Sequence, residues 1–151
     1  MPLMNSAARR VAAPKDALDR MVDRLRLTFS TDAGALAQPS GDGLEIVAHA
    51  GLALNDLRRA EALFATAALS SETLIIPDIE ADRRFAGVVS GIARFFAAAP
   101  FEGVDGRTGI LAVFDGRPRR DFEHADAALL RAFAQRASVL LPPDATTPSA
   151  A

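Results

Sequence analysis

The chain contains no cysteine, which excludes disulfides, thiolate zinc sites, thiol nucleophiles and thioether-linked chromophores. Two histidines leave little room for a multi-histidine metal site. Lysine is nearly as scarce: Lys15 stands alone, so no lysine phosphate clamp or Schiff base is expected in the folded core. No apolar run approaches the roughly 18 residues that a membrane span requires. A large excess of one charge is also missing. Lys+Arg 17 against Asp+Glu 19 gives a net charge of −2, too balanced for a protein built to attract nucleic acid or a membrane surface. Together these absences argue against most enzyme classes, and neither a catalytic set nor a cofactor is expected. What is present is a chain of 151 residues, 50% apolar and 24% charged, which suits one globular domain able to close a core. The opening MPLMNSAARRVAAPKDA carries a basic pair with no apolar run behind it. It reads as a disordered lead-in over 1–13 and not as a signal peptide, with the cytoplasm as the expected location.

Pro14 suits a first helical turn, and Leu18, Met21, Val22, Leu25 and Phe29 follow at helical spacing. AGALAQ (33–38) and LEIVAHAG (44–51) flank PSGDG, a hairpin signal. NDLRRAEALFATAALSS follows as a helix with Asn55 as cap and Leu57, Ala60, Leu63, Phe64 and Ala67 as its apolar stripe. LIIPDI (74–79) is a strand closed by its own proline, and ADRRFAGVVSGI a polar turn with a short helical piece. ARFFAAAPF (93–101) and TGILAVFDG (108–116) form a second hairpin through EGVDGR. HADAALLRAFAQRASVLL is the last helix, with Leu129, Leu130, Phe133, Ala137, Leu140 and Leu141 on its apolar side, and 142–151 is a disordered tail. Hairpins with helices between and around them predict an α+β domain on a mostly antiparallel sheet, spanning 14–141.

Catalytic and metal motifs fail on inspection. Gly41 and Gly43 lack a third glycine, since Ile46 occupies its place. Ser90 lacks the glycine spacing of a nucleophile elbow. Asp78, Glu80 and Asp82 alternate like a calcium loop, but Arg83 replaces the required glycine and Val89 the twelfth-position carboxylate. Asp121, Glu123, His124 and Asp126 fit the positive end of a helix dipole, with Asp121 near the cap, and make a poor metal cage. His49, between two alanines, reads as a half-buried polar tip; a lone histidine, His49 or His124, leaves haem ligation open but argues for it weakly. The run 117–120, Arg-Pro-Arg-Arg, has no interleaved aromatic for base stacking and reads as a solvated turn.

Two stretches, LIIPDIEADRRF (74–85) and IARFFAAAPFEGVDGRTGILAVFDGRPR (92–119), followed by a helix rich in Ala and Leu, resemble the GAF domains of bacterial signalling proteins. The resemblance covers about half the chain well, with the first half matching only in element order. It implies a GAF/PAS-like antiparallel sheet with the terminal helices on one face and a small-molecule pocket on the other. Members bind cyclic nucleotides, bilins, haem, oxoacids or amino acids, and many have lost their ligands. The free methionine sulfoxide reductase branch uses cysteine chemistry, which this chain lacks, and the cyclic-nucleotide branch's lysine-containing set is missing. By similarity to the bilin-binding branch, Phe114, four residues before Pro118, faces the pocket, as do Ile110 and Ala112, then Arg94, Phe96, Ala98 and Pro100, with Asp78 above and Phe85 beside them. Phe95, Ala97, Ala99 and Phe101 then face the helices. Phe and Ala at these pocket positions disfavour a large anionic ligand. Arg94 is the one residue there able to hold a carboxylate bidentately, the alternative being a pair with Asp78 or a snorkelling strand arginine. An open pocket would accept Ala98→Phe with the fold largely intact.

The expected function is therefore a stand-alone sensory or regulatory module that binds an unidentified small molecule and signals through a separate effector protein. The alternative is a ligand-free dimerisation or scaffold module whose pocket is filled by its own side chains. Apolar surface in excess of what one sheet face absorbs, on Leu18, Val22, Leu25 and Phe29 and on Leu130, Phe133, Ala137 and Leu140, predicts a homodimer through the terminal helices.

Overall fold

In the computed structural model, residues 16–40, 43–87, 91–103 and 106–141 are described. The first helix, α1, runs over 16–28 and buries Leu18, Met21, Val22, Leu25 and, just past its end, Phe29. It stops in a Schellman turn. Ser30 takes φ 53°, its N–H meets the Leu27 carbonyl at 3.1 Å, and the Thr31 N–H meets the Arg26 carbonyl at 2.8 Å.

Strands β1 (Ala33–Ser40) and β2 (Gly43–Ala50) form the first hairpin, then α2 (Leu54–Arg59), α3 (Glu61–Leu69) and β3 (Leu74–Ile76) follow. A 3-10 turn at Ile79–Ala81 leads to β4 (Phe95–Glu102), β5 (Thr108–Asp115) and α4 (His124–Leu140). The sheet has the order β2-β1-β5-β4-β3, antiparallel throughout. β1 and β2 shift register where Leu36 pairs with Ala48 but Ala37 pairs with Ile46, so Val47 forms a bulge. Beyond β2, Gly51 has φ +89°, and a Cβ there would lie 2.0 Å from the Asp32 carbonyl oxygen; only glycine fits that crossing.

Side chains alternate across the sheet and build two separate cores. α1 and α4 cover Leu36, Ala48, Phe95, Ala97, Ala99, Leu111 and Val113. On the opposite face α2, α3 and the 3-10 turn cover Ala33, Ala35, Ala37, Phe96, Ala98, Ile110, Ala112 and Phe114. This is the α+β architecture that the order of elements predicts.

Several local expectations need correction. The helix expected as one run is two, turning at Ala60 (φ −91°, ψ 16°), and its N-cap is Ala53, not Asn55. No Gly or Pro marks the break. Burial of Leu57 and Ala60 ahead of it and of Leu63, Phe64 and Ala67 beyond it shows both pieces pressed onto one sheet face, and tertiary packing outweighs local propensity. The strand expected over 74–79 ends at Ile76 because Asp78 caps the 3-10 turn. β4 begins at Phe95, not residue 93. The cap of α4 is Glu123, whose N–H donates to Asp126 Oδ2 at 2.9 Å, rather than Asp121. Leu129 is exposed, not on the buried stripe. The expected start at Pro14, the centre of the first hairpin turn at 41–42, the lead-in and the tail lie outside the described residues. No described helix is long and apolar enough to cross a membrane.

Candidate functional site

The register sets the residues of the α2/α3 face in rows. Phe96 pairs with Phe114, Ala98 with Ala112 and Pro100 with Ile110, and the same β5 residues pair with Ala33, Ala35 and Ala37 on β1. The middle of this surface is a floor of alanines. α3 sets the buried Phe64 against the Phe96–Phe114 row of this face. That ring meets Phe96 edge-on at 5.9 Å and Phe114 at 5.8 Å, while Phe96 and Phe114 lie 5.1 Å apart. All three contacts fall in the range of favourable aromatic pairs. Leu57, Leu63, Ala67, Ile76 and Ile79 complete the packing.

The structure thus brings Phe96, Ala98, Ile110, Ala112 and Phe114 together on one face. Each is no more than 1% exposed, so scarcely any surface is left for a solvent molecule, from outside or from an internal void. Phe85 joins the same core with Arg84 stacked 5.1 Å over its ring. The space these residues are expected to line holds the protein's own phenyl rings.

At the edge of this core, Asp78 follows Pro77 and caps the 3-10 turn, its Oδ1 accepting the Glu80 N–H at 3.2 Å. Arg94, at the approach to β4, donates through Nε to Asp78 Oδ1 and through Nη2 to Oδ2, both at 2.8 Å. This fork is the bidentate geometry that suits a carboxylate, and an internal carboxylate occupies it. Glu80 adds a longer contact at 3.5 Å. The Arg94 hydrogen bonds, supported by the Glu80 N–H against the effect of burial, hold the Asp78 carboxyl below its usual value. The backbone locks the pair in place, since the Arg94 N–H donates to the Asp115 carbonyl at 2.8 Å and the Ile79 N–H donates to the Arg94 carbonyl.

Sequence reasoning did not single out a second carboxyl pair. Asp32 precedes β1 and Asp115 ends β5, at the rim of a cavity of about 370 Å³ also lined by Gly51, Leu52, Ile92, Ala93 and Phe114. Asp32 Oδ2 accepts the Gly116 N–H at 2.8 Å. Burial raises the Asp115 carboxyl above its ordinary value, and the hydrogen bond and charge of Asp32 add to this against Arg119 and the Gly116 N–H. The signal was the aspartate closing the Gly-x-Leu-x-Val-x-Asp run (109–115), but its partner 83 residues earlier is set by the β1–β5 pairing. Another cavity of about 320 Å³, mostly apolar, lies between β2 and α3, where Leu69 is 90% exposed.

The residues expected at a dimer interface separate. Leu18, Val22, Leu25 and Leu130 are at most 1% exposed inside this chain's own core, while Phe133 and Leu140 are half-buried at the outer edge. The first four are sheet-facing core, because one sheet face absorbs both inner stripes. His49 lies exposed on edge strand β2, its Nδ1 3.0 Å from the Leu52 carbonyl oxygen, and His124 begins α4 in solvent. Among the described residues no three His, Asp or Glu side chains converge as a metal-holding group.

The sequence matches one family model, that of the GAF domain, over residues 13–141. The chain belongs to the GAF domain family. Solved structures share the fold. The GAF domain of an Acinetobacter phosphoenolpyruvate-protein phosphotransferase is 21% identical with a TM-score of 0.67, covering 84% of this chain and 81% of its own. A Synechocystis GAF domain in its photoproduct state is 19% identical with a TM-score of 0.65, the coverages being 83% and 91%. A type II free methionine-R-sulfoxide reductase from Thermoplasma acidophilum is 13% identical with a TM-score of 0.70, the coverages being 84% and 91%. A search of curated proteins found no match.

Proposed function

We propose that this GAF domain is a non-catalytic regulatory module that works by protein contact, its ligand-side face closed by its own side chains. The observation that carries this reading is the Phe64–Phe96–Phe114 cluster, the three rings packed on one another with scarcely any exposed surface. Closing the fork of Arg94 onto Asp78 supports it, because an incoming carboxylate would have to displace an internal one. No described group is placed as a nucleophile beside a base, which a catalytic reading would need.

A second reading keeps a small ligand and moves it to the cavity of about 370 Å³ beside Asp32 and Asp115, a volume within the range of small-molecule sites. Thermal unfolding of the full chain against oxoacids, amino acids, cyclic nucleotides, haem and a linear tetrapyrrole separates the two. A ligand at about 100 times its dissociation constant adds about 2.7 kcal/mol to stability. The closed-face reading expects no saturable shift. A saturable shift overturns it; if Asp115→Asn abolishes that shift, the second reading holds.

A further inference from the structure

Phe29 packs on Phe122 and Phe133, with ring centroids 5.4 and 6.4 Å apart, tying the end of α1 to the start of α4. The two helices therefore run antiparallel, and toward the other end they part around a groove of about 470 Å³. Ala17, Arg20, Met21 and Arg24 of α1 and Phe133, Arg136 and Leu140 of α4 line it. Its floor is apolar, and Leu129, 43% exposed, continues the α4 row at the spacing that joins 129, 133, 136 and 140 on one helix face. Its rim is cationic. The guanidinium groups of Arg20, Arg24 and Arg136 make no ion pair or hydrogen bond among the described residues, although the chain as a whole carries a net charge of −2.

We infer that this groove docks an acidic amphipathic helix of a partner protein, its apolar stripe on Met21, Phe133 and Leu140 and its carboxylates against the three arginines. The inference rests on the reading that the domain acts through protein contact, and it names where. Charge decides between occupants. A second copy related by a two-fold axis would face this patch with the same patch, bringing both sets of Arg20, Arg24 and Arg136 into one interface, and like charges brought together oppose association. The chain's remaining residues fit no better. Residues 1–15 hold Arg9, Arg10 and Lys15 with no acid, and 142–151 hold one acid, Asp144, and no large apolar side chain. From Ala17 to Arg24 the groove spans about two helical turns, so a short helix suffices.

The test is fluorescence anisotropy on the full chain with a labelled helical peptide of about four turns, bearing leucines at i, i+3, i+4 and i+7 flanked by glutamates. Counterparts carry glutamine or lysine in place of glutamate. The glutamate peptide should bind, about tenfold more tightly than the glutamine peptide, and weaken as salt rises. The exposed charge-reversal variant Arg20→Glu, Arg24→Glu, Arg136→Glu should keep the wild-type melting temperature, lose the glutamate peptide and gain the lysine peptide. Equal glutamate-peptide affinity in variant and wild type overturns the inference. So does a wild-type dimer in sedimentation that the variant abolishes, since a second copy is then the occupant. Binding to phosphatidylserine vesicles without peptide binding overturns it in favour of a membrane surface. These outcomes leave the ligand screen untouched, so the groove and the closed face fail separately.

Discussion

The two faces of this one sheet start from nearly the same material and are covered by different means. β4 gives each face a buried phenylalanine followed by alanine, Phe95 with Ala97, Ala99 and the half-buried Phe101 on one side and Phe96 with Ala98 on the other. α1 and the 17-residue α4 then lay branched aliphatics, Leu18, Val22, Leu25 and Leu130, over the middle of the first face, and Phe29 and Phe122 close it beside Phe95. The second is covered by helices of six and nine residues and a 3-10 turn, too short to span it with aliphatics alone, and an aromatic from α3 reaches into the remaining depth. An alanine-floored surface in this fold can be a binding pocket or a core. The proposed closure of this one rests on Phe64, whose ring meets Phe96 and Phe114.

The comparison breaks most visibly if that residue is removed. Phe64→Ala should cost about 3–5 kcal/mol in denaturant unfolding, and Leu25→Ala on the opposite face about 2–5, because each leaves a cavity in a closed core. A near-neutral Phe64→Ala would mean that the α2/α3 face is open. Added volume sharpens the same point. Ala98→Phe should destabilise by about 1–3 kcal/mol or more, as should Ala97→Phe, since neither side has room. This replaces the expectation that Ala98→Phe is tolerated, which would hold only for an open pocket. Leu130→Ala and Leu129→Ala, neighbours on α4, should differ widely, the buried one costing about 2–5 kcal/mol and the exposed one no more than about 0.5.

A smaller effect tests the rims through pH. Asp78 is held below its usual value, so its contribution to stability is present above its unfolded pKa and disappears as pH falls through its folded one. Asp115 is raised, so its contribution is full below its unfolded pKa and is lost as pH rises through its folded one. Asp115→Asn should therefore raise the melting temperature at neutral pH and flatten the gain that wild type shows on mild acidification. A variant less stable than wild type at neutral pH would show the carboxyl pair to be favourable as ionised.

Alternation along β4 and β5 made the two faces legible in the sequence, because strand periodicity follows from backbone geometry alone. Periodicity and turn signals supplied the element order, and resemblance assigned Asp78 and Arg94 to one site. A self-filled pocket stood in the sequence only as the alternative, and the residue proposed to fill it was not legible. Phe64 stands out only as one member of a helical stripe, and whether its ring meets Phe96 and Phe114 depends on the bend at Ala60, which no Gly or Pro announces. The same limit hid the Asp32–Asp115 pair, made by two strands distant in sequence, and the basic groove, made by helices at opposite ends of the chain. It also assigned Leu18, Val22, Leu25 and Leu130 to an interface, since helical spacing shows an apolar stripe but not what covers it.

The closed α2/α3 face is tested most directly by thermal unfolding of wild type and Phe64→Ala side by side with excess benzene. An apolar cavity emptied of a large side chain stays dry and takes up such a molecule. Wild type should be unmoved and the variant stabilised; a wild type stabilised as much as the variant would show that the space was open from the start.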